Sequence, residues 1–442
     1  MMQLSQVARV VSGRPSRLLD SETVTGVSTD TRAIRAGDLF FALRGANFDA
    51  HDFLDQAFAK GAAAAIVSRK VACSGLTIAV DDTLEALGDL AAAWRITLAA
   101  RVIGVCGSNG KTTTKEMIAH VLGKDRRVVK AQGSFNNNVG VPVTIFQADE
   151  RTESAVLEIG TNHPGEIAAL GRIARPDIAV LVSVGAEHLE GLGTLDGVAD
   201  EEASIFSSIR SGGYAVVHHD PRILVRLHLP REKFMTFGLT SDADVHPDSI
   251  DGMRFVVRGV EFRLNLLGEW NIQNALAATA VAMLHGLPLD EIARRLADFR
   301  PPKMRMERLD LAGVTIINDA YNSNPESASR AVREFSRFPA SGRRVAVIGD
   351  MGELGPTSET YHRELGRQLA ESSIDLVVGV GLECRALLAE LEGRKEMRGF
   401  ASVDDMKTSL DGLIRTGDAV LLKGSRRVGL ERIVKWMGER AA

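Results

Sequence analysis

Cysteine is scarce in this chain: its 442 residues hold three, Cys73, Cys106 and Cys384. Being odd in number and far apart, they form no disulfide framework and no C-x-x-C metal spacing, which fits a reducing compartment. An excess of one charge is also missing. Lys plus Arg number 53 against 57 Asp plus Glu, a net charge of −4, so electrostatics gives no reason to expect nucleic acid or an anionic membrane as partner. Long apolar runs are absent too. Met1 to Ser12 carries Arg9 inside its apolar stretch and lacks a signal-peptide layout. The uncharged window Trp270 to Leu289 opens on Asn271, Gln273 and Asn274 and closes on Gly286 and Pro288. The apolar core left between them is too short for a bilayer and predicts a buried, Ala-rich helix. The expectation is a cytoplasmic monomer with no nucleic-acid partner and no membrane insertion.

What is present is an ordinary globular composition, 45% hydrophobic and 25% charged, which excludes disorder, collagen and low complexity. The length predicts about three domains. The first segment reads as a strand at Leu39–Leu43, a helix at Phe53–Lys60 and a strand at Ala64–Val67. Asp82–Arg95 has Leu84, Leu87, Leu90, Ala91 and Trp94 at helical spacing, suited to a domain joint. Strands follow at Val102–Cys106, Ser154–Ile159, Asp177–Val184 and Ala215–His218, with a helix at Thr112–Leu122. Continuous apolar strands alternating with helices predict an α/β fold with a parallel sheet covered on both faces. Phe234–Leu267 reads as a small antiparallel annex, and Pro301-Pro302 breaks the chain. A third α/β run has strands at Val314–Ile317, Val345–Ile348, Leu376–Val380 and Ala419–Leu422. The domains expected are 1–82, 83–309 and 310–442.

The strongest local signal is Gly104-Val105-Cys106-Gly107-Ser108-Asn109-Gly110-Lys111-Thr112-Thr113. Glycines let the backbone wrap a phosphate, the helix N-terminus presents free N–H groups, and Lys111 adds a point charge. Thr112 stands where a hydroxyl can ligate Mg2+. The spacing is G-x-x-G-K-T, because Val105 occupies the first glycine position of the common phosphate-loop pattern. Glu158 ends one strand and His188 follows another, so both fall beyond carboxyl ends of parallel strands, where ligands bind. Asn136-Asn137-Asn138 lies in a polar loop whose amides suit sugars and diphosphates, or equally an Asx turn. Lys423, Arg426 and Arg427 follow the last strand, as a solvated face or as a receiver of a carboxylate. Gly379-Val380-Gly381 is not completed as a dinucleotide fingerprint, since Cys384 holds the final position.

In these motifs the chain resembles the Mur ligases, ATP-dependent amide-forming enzymes of peptidoglycan precursor synthesis. The resemblance rests on Gly104–Thr114, Phe135-Asn136-Asn137 before Gly140-Val141-Pro142, Glu158–Ile167 and His188-Leu189-Glu190-Gly191. It continues through Asn318–Pro325, Gly349–Gly355 and Lys423-Gly424-Ser425-Arg426, and near the N-terminus through Ser28–Arg32 with Gly37–Phe40. The motifs stand in the family's order over nearly the whole chain. They are most similar to members that add D-alanyl-D-alanine to UDP-N-acetylmuramoyl-tripeptide.

The resemblance implies a uridine-nucleotide-binding N-terminal domain, a central phosphate-loop ATPase domain, and a C-terminal Rossmann-like domain for the incoming dipeptide. It implies ATP bound by Gly107, Ser108, Asn109, Gly110, Lys111, Thr112 and Thr113, with Asn271 and Asn274 at the adenine, Arg305 at the nucleotide and Asp319 at the ribose. Thr112 and Glu158 would hold one Mg2+, with His188 near a second. Thr31 and Arg32 would serve the uridine pocket; Asn136, Asn137 and Thr161 the diphosphate and sugar; Tyr321, Asn324, Lys423 and Ser425 the acceptor side. The D-N-P-R run of diaminopimelate-adding relatives is absent, and folate-polyglutamate ligases lack such an N-terminal domain. A nucleotide-binding protein without catalysis is the alternative from another class.

Three positions depart from the family. Trp270 replaces its usual histidine, and Met304 its usual glycine before Arg305. Glu202 replaces a lysine that the family carries as a carbamate beside the second Mg2+. Val198, Glu202, Ile205 and Ile209 share one helical face, so Glu202 is expected to be buried and to supply the carbamate's negative charge as a catalytic group, with Glu201 solvated.

Overall fold

The computed structural model describes residues 2–441 except 20, 46 and 47. Three α/β units follow one another. In the first, a five-stranded sheet runs in the order Arg14–Pro15, Thr77–Ala79, Ala64–Val67, Asp38–Phe41, Gly26–Ser28, parallel except for the first pair. The helix α1 (Thr83–Thr97) joins it to the second unit. Asp82 caps α1, its carboxylate accepting from the N–H groups of Leu84 and Glu85.

The second unit is built on six parallel strands: β1 (Arg101–Cys106), β2 (Val128–Lys130), β3 (Ser154–Glu158), β4 (Ile178–Leu181), β5 (Tyr214–His218) and β6 (Phe234–Phe237), in the order β6-β5-β4-β1-β3-β2. The period of two divides each strand between two cores. Ile103, Val105, Val156, Ile178 and Val180 face α2 (Lys111–Leu122) and α5 (Trp270–Leu284). Val102, Cys106, Leu157, Ala179 and Leu181 face α1, α3 (Glu166–Ala174) and α4 (Leu195–Ala203). Each such fully buried Val, Ile or Leu contributes about 1.5–3 kcal/mol, so this double burial outweighs any single polar contact. β6 was expected in the antiparallel annex. It instead pairs parallel with β5, and only Ser249–Asp251, Arg254–Val257 and Val260–Arg263 form the antiparallel sheet.

The charge-free window folds as α5, whose alanine-rich sequence is buried on nearly every side. Among the described residues no helix is long and apolar enough to cross a membrane. The third unit comprises β7 (Glu307–Leu311), β8 (Val314–Asp319), β9 (Arg344–Gly349), β10 (Leu376–Val380), β11 (Glu396–Phe400) and β12 (Ala419–Lys423), in the order β7-β8-β12-β9-β10-β11. Only β7 is antiparallel, so this sheet takes in the chain from Glu307 and the expected 309/310 boundary falls inside a strand. The helix α6 (Pro325–Ser336) covers one face through Ala328, Ala331, Val332 and Phe335, and Leu267 and Trp270 of the second unit pack against that same core.

Candidate active site

The carboxyl ends of β1, β3 and β4 meet one side of the third unit in a cavity of about 500 Å3. After β1 the chain turns through Gly107 (φ +122°) and Gly110 (φ +90°) into α2. A Cβ on Gly107 would lie 2.8 Å from the Ser183 nitrogen, and one on Gly110 would lie 2.3 Å from Asn274 Oδ1. Neither position has room for a side chain. The loop is pinned to the turn after β4: Ser108 N donates to Ser183 O at 2.9 Å, Asn109 N to Ser183 Oγ at 2.8 Å, and Ser108 Oγ to Gly185 O at 3.1 Å.

Lys111 begins α2 and donates to the Gly107 and Ser108 carbonyls, 3.4 Å from Glu187 Oε1. Burial opposes its charge, but the carboxylates of Glu187, Glu202 and Glu158 outweigh burial and hold its pKa above the ordinary lysine value. Glu187 was missed by the sequence reading; its place beside His188 in the same turn was the available signal. Glu158 is 1% exposed. Its Oε1 accepts from Asn136 Nδ2 at 3.2 Å, and its Oε2 lies 3.6 Å from Lys115 Nζ with no hydrogen bond among the described residues. Lys115, one helical turn beyond Lys111, was also missed. It is fully buried and donates to the Ala131 and Gly133 carbonyls beneath the asparagine loop.

Glu202 is 0% exposed, as its helical face implied. It does not line the cavity. Its Oε2 accepts from Gly107 N at 2.7 Å, behind the loop, and its Oε1 has no hydrogen-bond partner among the described residues. Burial pushes its pKa up to about 7, with Lys111 opposing and Glu187 adding to the rise. The expectation for Glu201 is corrected: it is 7% exposed rather than solvated. Its two oxygens accept from Ile167 N at 2.8 Å and Gly165 N at 2.7 Å, satisfying the free N–H groups at the start of α3. α4 lies between the 107–111 loop and α3, so two glutamates about 100° apart around one helix are both enclosed.

His188 (φ +50°) bonds through Nδ1 to Glu353 of the third unit, and its Nε2 lies 3.7 Å from Glu187. Burial alone would lower its pKa; the Glu353 bond and the Glu187 charge raise it. Thr112 Oγ1 accepts from Arg305 Nη2 at 3.1 Å, and the Arg305 guanidinium lies 4.2 Å over the Tyr321 ring. Tyr321 Oη contacts Ser134 Oγ. Asn271 and Asn274, both buried, bond to each other and to Leu267 O and Thr114 Oγ1. Trp270 stands at their end of the cavity.

Lys423 lines the cavity but is 2% exposed. It pairs with Asp319 at 3.0 Å and donates to Asn322 O at 2.5 Å, so its ammonium is already engaged. Arg426, on the same wall, is half exposed, and one of its Nη atoms lies 3.1 Å from Met304 Sδ. Asn137 Oδ1 caps its own turn by accepting from Val139 N and Gly140 N. Thr161 Oγ1 donates to His163 O at 2.8 Å.

Of the expected residues, Ser108 through Thr113, Asn136, Asn137, Glu158, Thr161, His188, Asn271, Asn274, Arg305, Asp319, Tyr321, Asn324 and Lys423 line one cavity. Thr31 and Arg32 are not among them. They lie on the first unit, Thr31 Oγ1 donating to Gln56 and Arg32 pairing with Asp30. Ser425 is buried outside the lining. Elsewhere Asp350, His362 and Cys384 converge within 4.8 Å. Asp350 accepts from Cys384 N, His362 from Met351 N, and Cys384 Sγ donates to Ile348 O, a set engaged in closing its own turns.

Residues 23–95 match the family described as Mur ligase family, catalytic domain; 105–282 match the Mur ligase middle domain; 304–426 match the Mur ligase, glutamate ligase domain. The UDP-N-acetylmuramoyl-tripeptide--D-alanyl-D-alanine ligase of Bacillus subtilis is 36% identical, covering 98% of this chain and 97% of its own. The Escherichia coli enzyme of the same name is also 36% identical, covering 99% and 98%. Among solved structures, MurF from Acinetobacter baumannii superposes with a TM-score of 0.90 at 32% identity and 99% coverage of both chains. MurF from Thermotoga maritima, in complex with ADP, gives 0.80 at 30% identity, covering 95% of this chain and 98% of its own.

Proposed function

The chain belongs to the Mur ligase family, and from that premise we propose how its cavity works. It is an ATP-dependent ligase that joins D-alanyl-D-alanine to UDP-N-acetylmuramoyl-tripeptide, a step of peptidoglycan synthesis. The observation that carries the reading is the single cavity that sets the Lys111 loop of the second unit against Asp319 and Tyr321 of the third.

A carboxylate is a poor electrophile. Phosphoryl transfer from ATP converts the tripeptide carboxylate to an acyl phosphate, the dipeptide amine attacks it, and phosphate leaves. The loop N–H groups and Lys111 cradle the triphosphate and offset charge as it moves between oxygens. Asn271, Asn274 and Trp270 bound the end of the cavity proposed for the base, and Asp319, held by Lys423, that for the ribose. Arg305, stacked on Tyr321, reaches Thr112 and the phosphate end. Asn136, Asn137 and Thr161 face the diphosphate and sugar, with Thr31 and Arg32 toward the uridine. Arg426 is the exposed cation on the wall proposed for the dipeptide carboxylate; Lys423 orders that wall. The packing of the third unit over the loop excludes water from the acyl phosphate.

The donor set fits Mg2+. Thr112 Oγ1 and Glu158, whose Oε2 lacks a hydrogen bond, are hard oxygens beside the loop, with His188 on the opposite side. Mg2+, when bound, supplies neutralisation of phosphate charge. Glu202 acts from behind the loop, holding Gly107 N and facing Lys111 with negative charge. The first, second and third units, with the third taken from Glu307, are assigned to the UDP-sugar, ATP and dipeptide, in a cytoplasmic monomer.

Phosphate release from ATP tests the reading. It is expected to require both the tripeptide nucleotide and D-alanyl-D-alanine; release that needs neither overturns it.

A further inference from the structure

The two carboxylate oxygens of Glu158, at the end of β3, are held differently. Oε1 accepts from Asn136 Nδ2 at 3.2 Å, whereas Oε2, buried at the cavity wall, has no hydrogen-bond partner among the described residues. A buried carboxylate oxygen ordinarily takes any donor within reach, because leaving it bare costs free energy. A donor stands close by. The ammonium of Lys115, fully buried, lies 3.6 Å from Oε2, beyond hydrogen-bond range.

Its other neighbours account for the gap. An ammonium has three protons. Two serve the carbonyls of Ala131, at 2.7 Å, and Gly133, beneath the asparagine loop. Of the two carboxylates around Lys115, Glu116 is the nearer, its Oε1 3.0 Å from Nζ. Glu116 is fixed in turn through Oε2 by Lys130 of the edge strand β2. Charges thus alternate from Lys130 through Glu116 and Lys115 to Glu158. Lys115 gives Glu158 a neighbouring positive charge without occupying Oε2, and neither Glu116 nor Lys115 lines the cavity.

We propose that Glu116 is a positioning residue that draws the Lys115 ammonium away from Glu158, so that Oε2 stays charge-compensated but open to a divalent cation. The idea rests on the proposed function, in which Glu158 is one of the oxygens offered to Mg2+, and adds the groups that keep that oxygen available. Without Glu116, the nearest acceptor left for the third proton of Lys115 is Oε2 itself. An oxygen that already accepts from an ammonium is a poorer ligand for a hard cation, since its lone pair is engaged and a positive charge is closer. Glu116 acts only through Lys115, so its effect is on cation binding and not on the reacting atoms.

Two substitutions that remove the same charge test it. Glu116→Gln keeps a carbonyl that accepts from Lys115, whereas Glu116→Met keeps the side-chain length and offers no oxygen. Glu116 is partly exposed, so both chains are expected to fold. Mn2+ is the probe, its binding to the full chain with ADP read from loss of the free-ion electron paramagnetic resonance signal. The Mn2+ dissociation constant is expected to rise about tenfold in Glu116→Met and to stay within about twofold of wild type in Glu116→Gln. The Mg2+ concentration for half-maximal ligation should move by the same factor, with kcat at saturating Mg2+ and the KM for the nucleotide sugar unchanged. Equal weakening in both variants would trace the effect to lost charge alone and overturn the proposal. So would a Glu116→Met chain that binds Mn2+ as the wild type does, whatever its urea midpoint. The expected Mn2+ pattern in a protein that forms no ligation product would refute the proposed function and leave the positioning of Glu158 standing.

Discussion

Asp319 and Lys423 are register partners on adjacent parallel strands, and their side chains meet at 3.0 Å in the cavity wall. Burial lowers the Lys423 pKa and Asp319 opposes the fall, so the ammonium depends on its partner. Removing one member leaves the other charge buried and unpaired, which costs about 3–5 kcal/mol. Lys423→Ala is expected to destabilise by that amount, and Asp319→Asn by less, with a rise in the KM for ATP. Urea unfolding of both variants beside ATP kinetics checks this; a Lys423→Ala protein as stable as wild type would show that the pair is not a coupled unit.

Lys111→Ala is expected to abolish turnover, a loss of at least about a hundredfold for a group that stabilises moving phosphate charge. It also leaves Glu158, Glu187 and Glu202 without the cation they share, so a melting curve must accompany the kinetics. A folded variant with wild-type kcat would remove the phosphate-loop assignment.

Glu202→Gln separates stability from chemistry. A carboxyl whose pKa rises from 4.5 when unfolded to about 7 when folded destabilises the fold progressively as pH climbs through that window and adds nothing below it. Relative to wild type, the Gln variant should therefore gain about 2–3 kcal/mol between pH 4 and pH 8. Urea midpoints at the two pH values measure it, and a pH-independent difference would show that Glu202 keeps an ordinary pKa. Activation by Mg2+ should weaken in the same variant, while wild-type activity should not depend on bicarbonate. Glu201→Ala should instead lower the melting temperature, because it uncaps α3.

Met304 has φ +59°, a left-handed backbone that favours glycine. Met304→Gly relieves that strain but frees the unfolded chain, and the two effects should cancel to within about 1 kcal/mol. Met304→Ile, β-branched at a positive φ, should cost about 1–3 kcal/mol. Thermal unfolding of the two decides it; equal effects would show that the backbone there relaxes freely.

Local signals carried much of the fold. Apolar runs such as Val102–Cys106 and Val345–Ile348 declared themselves because both faces of a parallel strand are buried. The glycines of the phosphate loop declared themselves because no other residue fits their φ or their neighbours. Elements at sheet margins did not. Val128–Lys130, Glu307–Leu311 and Glu396–Phe400 are edge strands, half covered; the first has only three residues and the other two are interrupted by charged side chains, so none shows a continuous apolar run. Phe234–Phe237 reads as antiparallel until β5 is seen beside it.

By itself the sequence determined the strand-turn-helix units, the glycine loop after β1, the order of the domains and the family, all of which depend on residues adjacent in the chain. Only the tertiary structure decided which charges are free. Lys423 looked available and is locked to Asp319; Glu201 looked solvated and caps α3; Glu187 went unnoticed and flanks Lys111. The physical reason is the same in each case. Whether a charge is paired or buried depends on the groups across the cavity, which arrive from strands and helices tens to hundreds of residues away, and helical periodicity records only which face a side chain occupies.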